Sequence, residues 1–317
     1  MVVFLTALTL PAPGQNPRPA APEDPGATLR VEVNLVDSYC TVKNKQGVLV
    51  NDLEANDFEV FEDDKRQEVR YFSRETDTPL ALVLLVDTSV SQKEVLAREK
   101  QTVGQFLRQV IRPVDQALLI TFDALISPMP EFTSDTAKIE RVLARTRIRT
   151  HAPAGPDPSK PPGGTRLYDA IHLAARQKLS PAMGRKAIIV IGDGVDFGSR
   201  LTKQQALEAA QRGDAIIYAI GLADPGYYWR RTGRSSGGDD VLRHLARETG
   251  GRALFPSSLK QLPAAFAAIA EELRSQYRIG YLSNNRTRDG RFRKIQIEVK
   301  HKGLRVQARR GYYAPGS

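Results

Sequence analysis

Hydrophobic positions along the chain change rhythm twice. From Arg30 to Phe72, apolar and polar residues alternate through VEVNLVDSYCTV, VLVNDL and FEVFEDDKRQEVRYF, with turn clusters such as KNKQG and EDDK between them. Alternation with a period of two predicts short strands with one solvated face, and hence a small antiparallel unit. From Leu80 the rhythm becomes strand, helix, strand. The runs LALVLLV, QALLITF, KAIIVIG and DAIIYAIG are apolar at nearly every position, which marks strands buried on both faces of a parallel sheet. Amphipathic stretches separate them. Val95, Leu96, Val103, Phe106, Leu107, Val110 and Ile111 keep helical spacing, and so do Leu262, Phe266, Ile269 and Leu273 within 258–276. Residues 202–212 open on a Thr202/Gln205 capping box and stop at Gly213. Beyond them, YRIGYLS and the alternating segment up to GYYAP return to strand character.

These patterns predict an α/β fold in which a doubly wound, mostly parallel sheet, over residues 78–276, is inserted in a small antiparallel, sandwich-like β module. Residues 30–76 and 277–317 are expected to pair with each other, because neither flank alone has enough strands to bury a face.

Ahead of these elements, Val2–Leu10 is apolar except for Thr6 and Thr9, and residues 11–29 are rich in Pro, Ala and Gly. The run is too short to span a bilayer; it reads as the apolar region of a secretory signal peptide followed by a linker. The first cation is Arg18, so the basic start of such a peptide is missing and the expectation is a truncated signal, with a disordered apolar N-terminus as the alternative. A secreted, periplasmic or cell-envelope location follows from the first reading. No other segment approaches transmembrane length.

At 317 residues and 41% hydrophobic content, the chain can bury a substantial core. Cys40 is the single cysteine, which excludes an intrachain disulfide and Cys-rich zinc sites. The net charge of +10 is concentrated between Arg278 and Arg310, where eleven Lys and Arg face only Asp289 and Glu298. Those bases alternate with Ile295, Ile297, Val299, Leu304, Val306 and Ala308, so they are expected on the solvated face of a hairpin turning at KHKG. No aromatic residues interleave with them, which disfavours specific nucleic-acid binding there.

The stretch VLLVDTSVSQ runs a buried strand into Asp87 and a row of hydroxyls. Ligands of an open parallel sheet bind outside the carboxyl ends of its strands, in the loops that lead into helices. Ser89 and Ser91 follow Asp87 at two-residue intervals; GGTRLYDAI places Thr165 after two glycines; IGDGVD places Asp193 at the end of another strand. Three hydroxyls and two carboxylates suit a hard divalent cation, which takes oxygen ligands. Each residue also has a structural alternative. Ser91 and Glu94 fit a capping box, Thr165 fits a helix N-cap, and a strand-end Asp often caps a turn.

In chain order, D-T-S-V-S, G-G-T and G-D-G resemble the metal-ion-dependent adhesion site of von Willebrand factor type A (VWA) domains over about 78–276. The flanks DFEVFEDDKRQEVRYF, LRSQYRIGYL and RRGYYAP narrow the resemblance to the VWFA-related family of predicted secreted bacterial proteins. That resemblance implies a Rossmann-like sheet, a divalent cation (Mg2+ foremost, with Mn2+ or Ca2+ as alternatives) at Asp87, Ser89, Ser91, Thr165 and Asp193, and binding of a protein ligand that offers an Asp or Glu carboxylate. Val90 and Gln92 stand where the family commonly has Gly and Met. The rival readings are an envelope component whose metal only stabilises the fold, and polyanion binding through the basic hairpin.

Tyr227, Tyr228, Trp229, Arg230 and Arg231 cluster in one loop expected on the same rim; residues of these types dominate interface hot spots, which makes them candidates for partner contact. An enzyme is not expected. His151, His172, His244 and His301 lie in different elements, and no H-E-x-x-H, G-x-S-x-G or P-loop pattern occurs.

Overall fold

The computed structural model describes residues 35–74, 78–148, 164–222 and 238–316. The proposed leader, the proline-rich segment before Gly164 and the aromatic loop with Tyr227, Tyr228, Trp229, Arg230 and Arg231 lie outside the described residues.

The N-terminal segment forms β1 (Leu35–Lys43), β2 (Phe58–Glu62), β3 (Lys65–Gln67) and β4 (Val69–Arg74). The α/β region follows with β5 (Leu80–Asp87), α1 (Leu96–Val110), β6 (Gln116–Phe122), β7 (Ile126–Pro128), α2 (Thr136–Arg145) and α3 (Leu167–Leu173). It continues through β8 (Arg185–Gly192), α4 (Lys203–Arg212), β9 (Ala215–Gly221), α5 (Gly238–Thr249), β10 (Ala253–Leu254) and α6 (Leu262–Arg274). The chain closes with β11 (Tyr277–Leu282), β12 (Phe292–Val299), β13 (Arg305–Ala308) and β14 (Gly311–Tyr313).

The fold is mixed α/β, the class the sequence predicts. Its central sheet has six strands in the order β10-β9-β8-β5-β6-β7, all parallel except the edge strand β7. Every residue of β5 is buried, because alternate side chains enter two separate cores. Leu80, Leu82, Leu84 and Val86 pack under α1, α2 and α6, while Ala81, Val83 and Leu85 pack under α3, α4 and α5. α4 starts on the Thr202/Gln205 capping box and stops at Gly213, as its sequence indicates.

Two four-stranded antiparallel sheets, β13-β1-β11-β4 and β14-β12-β2-β3, enclose a third core of Val36, Val42, Phe58, Val60, Tyr277, Ile279, Ile295 and Ile297. Each sheet combines strands from both ends of the chain: β1 pairs with β11 and β13, and β2 with β12. The expected hairpin at KHKG does not form. β12 and β13 belong to different sheets, because β12 finds its partners in β2 and β14 while β13 pairs with β1. Four of the eleven basic residues of this segment pair with acids elsewhere in the chain: Arg278 with Asp37, Arg293 with Glu62, Lys294 with Asp64 and Arg309 with Asp214.

A buried polar network sits in the β module. Glu62 accepts hydrogen bonds from Tyr281 (2.9 Å), Ser283 (2.6 Å) and Tyr312 (3.0 Å), and its Oε1 lies 3.5 Å from the Arg293 guanidinium. Removing the acid leaves Arg293 and three hydroxyls buried without it, an arrangement that costs about 3–5 kcal/mol. Glu62→Leu is therefore expected to lower unfolding stability in urea by that amount, and Glu62→Gln, which keeps an acceptor, by less. A loss below about 1 kcal/mol in the Leu variant would show that the network adds nothing beyond ordinary surface pairing.

Candidate metal centre

β5 sends the chain to β6 on one side and has β8 on the other, so the topological switch point lies between β5 and β8. Asp87 ends β5, and Asp193 follows the last residue of β8. The two carboxylates therefore stand side by side at the edge where open parallel sheets bind ligands. Gly192 permits this approach: a Cβ there would meet Asp87 Cβ at 2.7 Å.

The loop after β5 turns at once. The Ser89 N–H donates to Asp87 Oδ1 at 2.8 Å, and a 3₁₀ turn over Val90–Gln92 follows. This brings the Ser89 and Ser91 hydroxyls to 3.0 Å, and Ser91 donates to Asp193 Oδ2 at 2.5 Å. Asp193 Oδ1 accepts from the Val195 N–H at 3.0 Å. Asp87, Ser89, Ser91 and Asp193 thus form one connected, buried cluster.

Thr165 reaches the same region on a separate loop. Its backbone bridges to Phe197, with its N–H donating at 2.8 Å and its carbonyl accepting at 2.9 Å, and the next N–H, that of Arg166, donates to the Asp123 carbonyl. Asp123 is tied to the first loop, since Thr88 Oγ1 donates to its Oδ2 at 2.8 Å. The structural alternatives for the hydroxyls fail. The residue preceding α1 is Val95 and that preceding α3 is Arg166, and neither Ser91 nor Thr165 caps a helix. Only two of the expected ligands are acidic, and among the described residues no group of three or more His, Cys, Asp or Glu stands close enough to hold an ion.

Three further residues belong to this region. Gln92 is fully buried; its Nε2 donates to Leu222 O (3.2 Å) and lies 3.3 Å from both Ser91 Oγ and Asp193 Oδ2, while its Oε1 has no partner. Asp123 joins the two loops; its signal is an acid ending the apolar run QALLITF, the same signal that marks Asp87. Glu99 sits in the first turn of α1, 1% exposed, with neither carboxylate oxygen hydrogen-bonded. Its signal was also available: it lies three residues after Leu96 and four before Val103, an acid on an otherwise apolar stripe.

Burial and the neighbouring Asp193 push the Asp87 carboxyl well above the ordinary carboxylate range, against the opposing hydrogen bonds from Ser89. Burial and the charges of Asp87 and Asp193 raise Glu99 in the same way. A cluster of hydroxyls and repelling buried carboxylates, with orphaned oxygens beside it, fits a hard divalent cation, which supplies the missing positive charge and takes oxygen donors.

These features define a class: a doubly wound α/β domain whose switch point carries carboxylates and hydroxyls from separate loops, the fold and layout that the resemblance to VWA domains implies. No protein-family model matches the chain, and no curated protein matches it in sequence. Solved structures match at low identity. The conserved hypothetical protein BatB from Bacteroides thetaiotaomicron is 18% identical, over 62% of this chain and 100% of that one, with a TM-score of 0.46. The vWF domain of the type V pili tip protein Mfa5 from Porphyromonas gingivalis is 15% identical, over 62% and 95%, with a TM-score of 0.45. Proximal thread matrix protein 1 from the mussel byssus, solved with a zinc-occupied MIDAS motif, is 14% identical over 64% and 50%, with a TM-score of 0.47.

Because the folded chain holds Asp87 protonated over a pH range in which the unfolded chain has released its proton, stability falls as pH rises from the ordinary carboxylate range through the raised value. In metal-free protein, Asp87→Asn is expected to melt above wild type at about pH 7, with the advantage shrinking toward about pH 4. Thermal melts across that range check this; an Asn variant that melts lower at every pH would contradict the sign.

Proposed function

We propose that this chain is a divalent-cation-dependent protein-binding module. The observation that carries the reading is the connected cluster of Asp87, Ser89, Ser91 and Asp193 at the switch point, with hydroxyls that cap no helix. Ser89, Ser91 and Thr165 are the hydroxyl ligands, and Asp87 and Asp193 the acidic ones, bound directly or through water. Mg2+ fits this oxygen set best, with Mn2+ and Ca2+ as alternatives.

A bound divalent cation supplies an electrophilic charge that an Asp or Glu carboxylate of a partner can ligate. The chain's own residues prepare the site. Asp87 fixes the loop through the Ser89 N–H, Gln92 ties that loop to Asp193 and to the end of β9, and the Thr88–Asp123 contact holds the Thr165 loop beside them. Binding rather than catalysis belongs to the same proposal, with the hydroxyls and carboxylates of the cluster all assigned to the cation. The secreted or envelope location expected from the N-terminal run belongs to the same proposal. Among the described residues, no helix is long and apolar enough to cross a membrane.

Calorimetric titration of chelator-treated protein with Mg2+, Mn2+ and Ca2+ tests the reading. Saturable binding is expected in wild type, with loss in Asp87→Ala and at least about 10-fold weakening in Thr165→Ala. Wild-type protein that takes up none of the three ions would sink it. Partner capture that persists undiminished in EDTA and in Thr165→Ala would sink the adhesion reading while leaving the cation in place.

A further inference from the structure

α1 packs one stripe against the sheet, and its buried residues include Leu96, Val103, Phe106 and Val110. Glu99 occupies that stripe one turn from the Asp87 loop. A carboxylate there costs several kcal/mol unless something compensates it, and apolar replacement of such a group is often stabilising. Both Glu99 oxygens are buried and unpartnered, and among the described residues no Lys or Arg stands with the charges that act on the group. Leu96 and Val103, which flank Glu99 on the stripe, pack in one core with Val86, the residue before Asp87, so the stripe carries Glu99 beneath the cation loop, and the charges of Asp87 and Asp193 bear on it. It is no direct ligand, because among the described residues no trio of acidic side chains gathers closely enough to hold an ion. Gln92 Oε1, fully buried on the loop itself, is a second acceptor without a donor.

Orphaned buried acceptors beside a candidate cation site call for donors, and ordered water bound to a cation supplies them. Two carboxylates balance a divalent charge, so a third beside them would strengthen the hold on the ion from outside the ligand shell. We propose that Glu99 is an outer-sphere carboxyl of the cation site, accepting hydrogen bonds from water held there, with Gln92 Oε1 as its companion acceptor. Glu99 is thus a positioning residue, and the inference rests on the reading of the loop as a divalent-cation site.

Full-length, chelator-treated protein is titrated with Mn2+, following free and bound ion by electron paramagnetic resonance, in wild type, Asp87→Ala, Glu99→Gln and Glu99→Met. Glu99→Gln is expected to weaken Mn2+ binding by about 10–100-fold, the usual consequence of losing an outer-shell partner. It should also change the zero-field splitting of the bound ion. Both Glu99 variants should melt at or above wild type without metal, since each removes an uncompensated buried acid. Wild-type affinity and an unaltered spectrum in Glu99→Gln, with binding abolished in Asp87→Ala, would overturn the role of Glu99 and leave the cation site standing. A fall in the metal-free melting temperature of both Glu99 variants would likewise overturn it, assigning the residue to packing. Absence of Mn2+ binding in wild type would overturn the site and this role together.

Discussion

Two carboxyl groups buried side by side where β5 and β8 part are the constraint around which the α/β domain is organised. Asp87 and Asp193 are each 1% exposed, and the backbone offers only part of the compensation they require. The N–H groups of Ser89 and Val195 and the Ser91 hydroxyl satisfy some of their lone pairs. None of these three donors carries a charge, and burial of two neighbouring carboxyl groups is the cost they work against. The surrounding geometry shows the same pressure. Gly192 gives up its side chain to let Asp87 in, and Gln92 stretches its amide across two loops and the end of β9. A fold that needed only to pack would fill this region with apolar side chains, as it does along the rest of β5 and through Ala187–Ile191 of β8.

The site is held from beneath by the polar joints where the chain enters and leaves the domain. Arg185, almost wholly buried at the start of β8, donates to the Leu273 carbonyl, to Gln276 Oε1 at 3.2 Å and to the Thr78 carbonyl at 3.2 Å. One guanidinium therefore clamps the segment before β5 to the segment after α6. Asp115 does related work: it accepts from the Leu80 N–H at 2.9 Å and pairs with Arg112 and Arg274. Burial alone would raise its carboxyl, yet the hydrogen bonds from both arginines outweigh that and hold it at about 2. Glu272, near the end of α6, receives Lys43 of β1, Arg252 and Gln307 of β13. The last helix is thus tied by charge to the β module as well as to the sheet, and any shift of α6 would have to break a buried ion pair.

The sequence showed the architecture because burial writes different periods into different elements. Continuous apolar runs such as LALVLLV and KAIIVIG admit no other reading than strands covered on both faces, and the Thr202/Gln205 box marked a helix start that forms as drawn. The residues expected at the site were legible one by one from strand ends and turn chemistry. Their mutual hydrogen bonds were not, since they depend on which strands become neighbours. The pairing of β12 and β13 was misread for the same reason: alternation fixes which face a residue presents, and says nothing about the sheet that accepts the strand. Glu99 is hidden in the sequence because a stripe is read by its majority, and a single polar residue within one is easily treated as an exception. Asp123 escaped notice although it repeats the signal of Asp87, an acid closing an apolar run.

Hydroxyls at a strand end have two physical uses, and local geometry separates them. A cap needs the oxygen to face the free N–H groups of the helix that follows, one residue before its first turn. Here α1 begins only at Leu96, after an intervening 3₁₀ turn, and α3 begins after Arg166, so Ser91 and Thr165 stand too early to cap either. Ser91 instead donates a hydrogen bond to Asp193, and the helix that follows contributes Glu99 from its buried face. An acid on that face adds to the charge that Asp87 and Asp193 already bury. The loop therefore gathers negative charge and oxygen acceptors rather than capping α1, and α3 takes its caps from Asp196 and Ser199 rather than from Thr165, which suits hydroxyls kept for a cation.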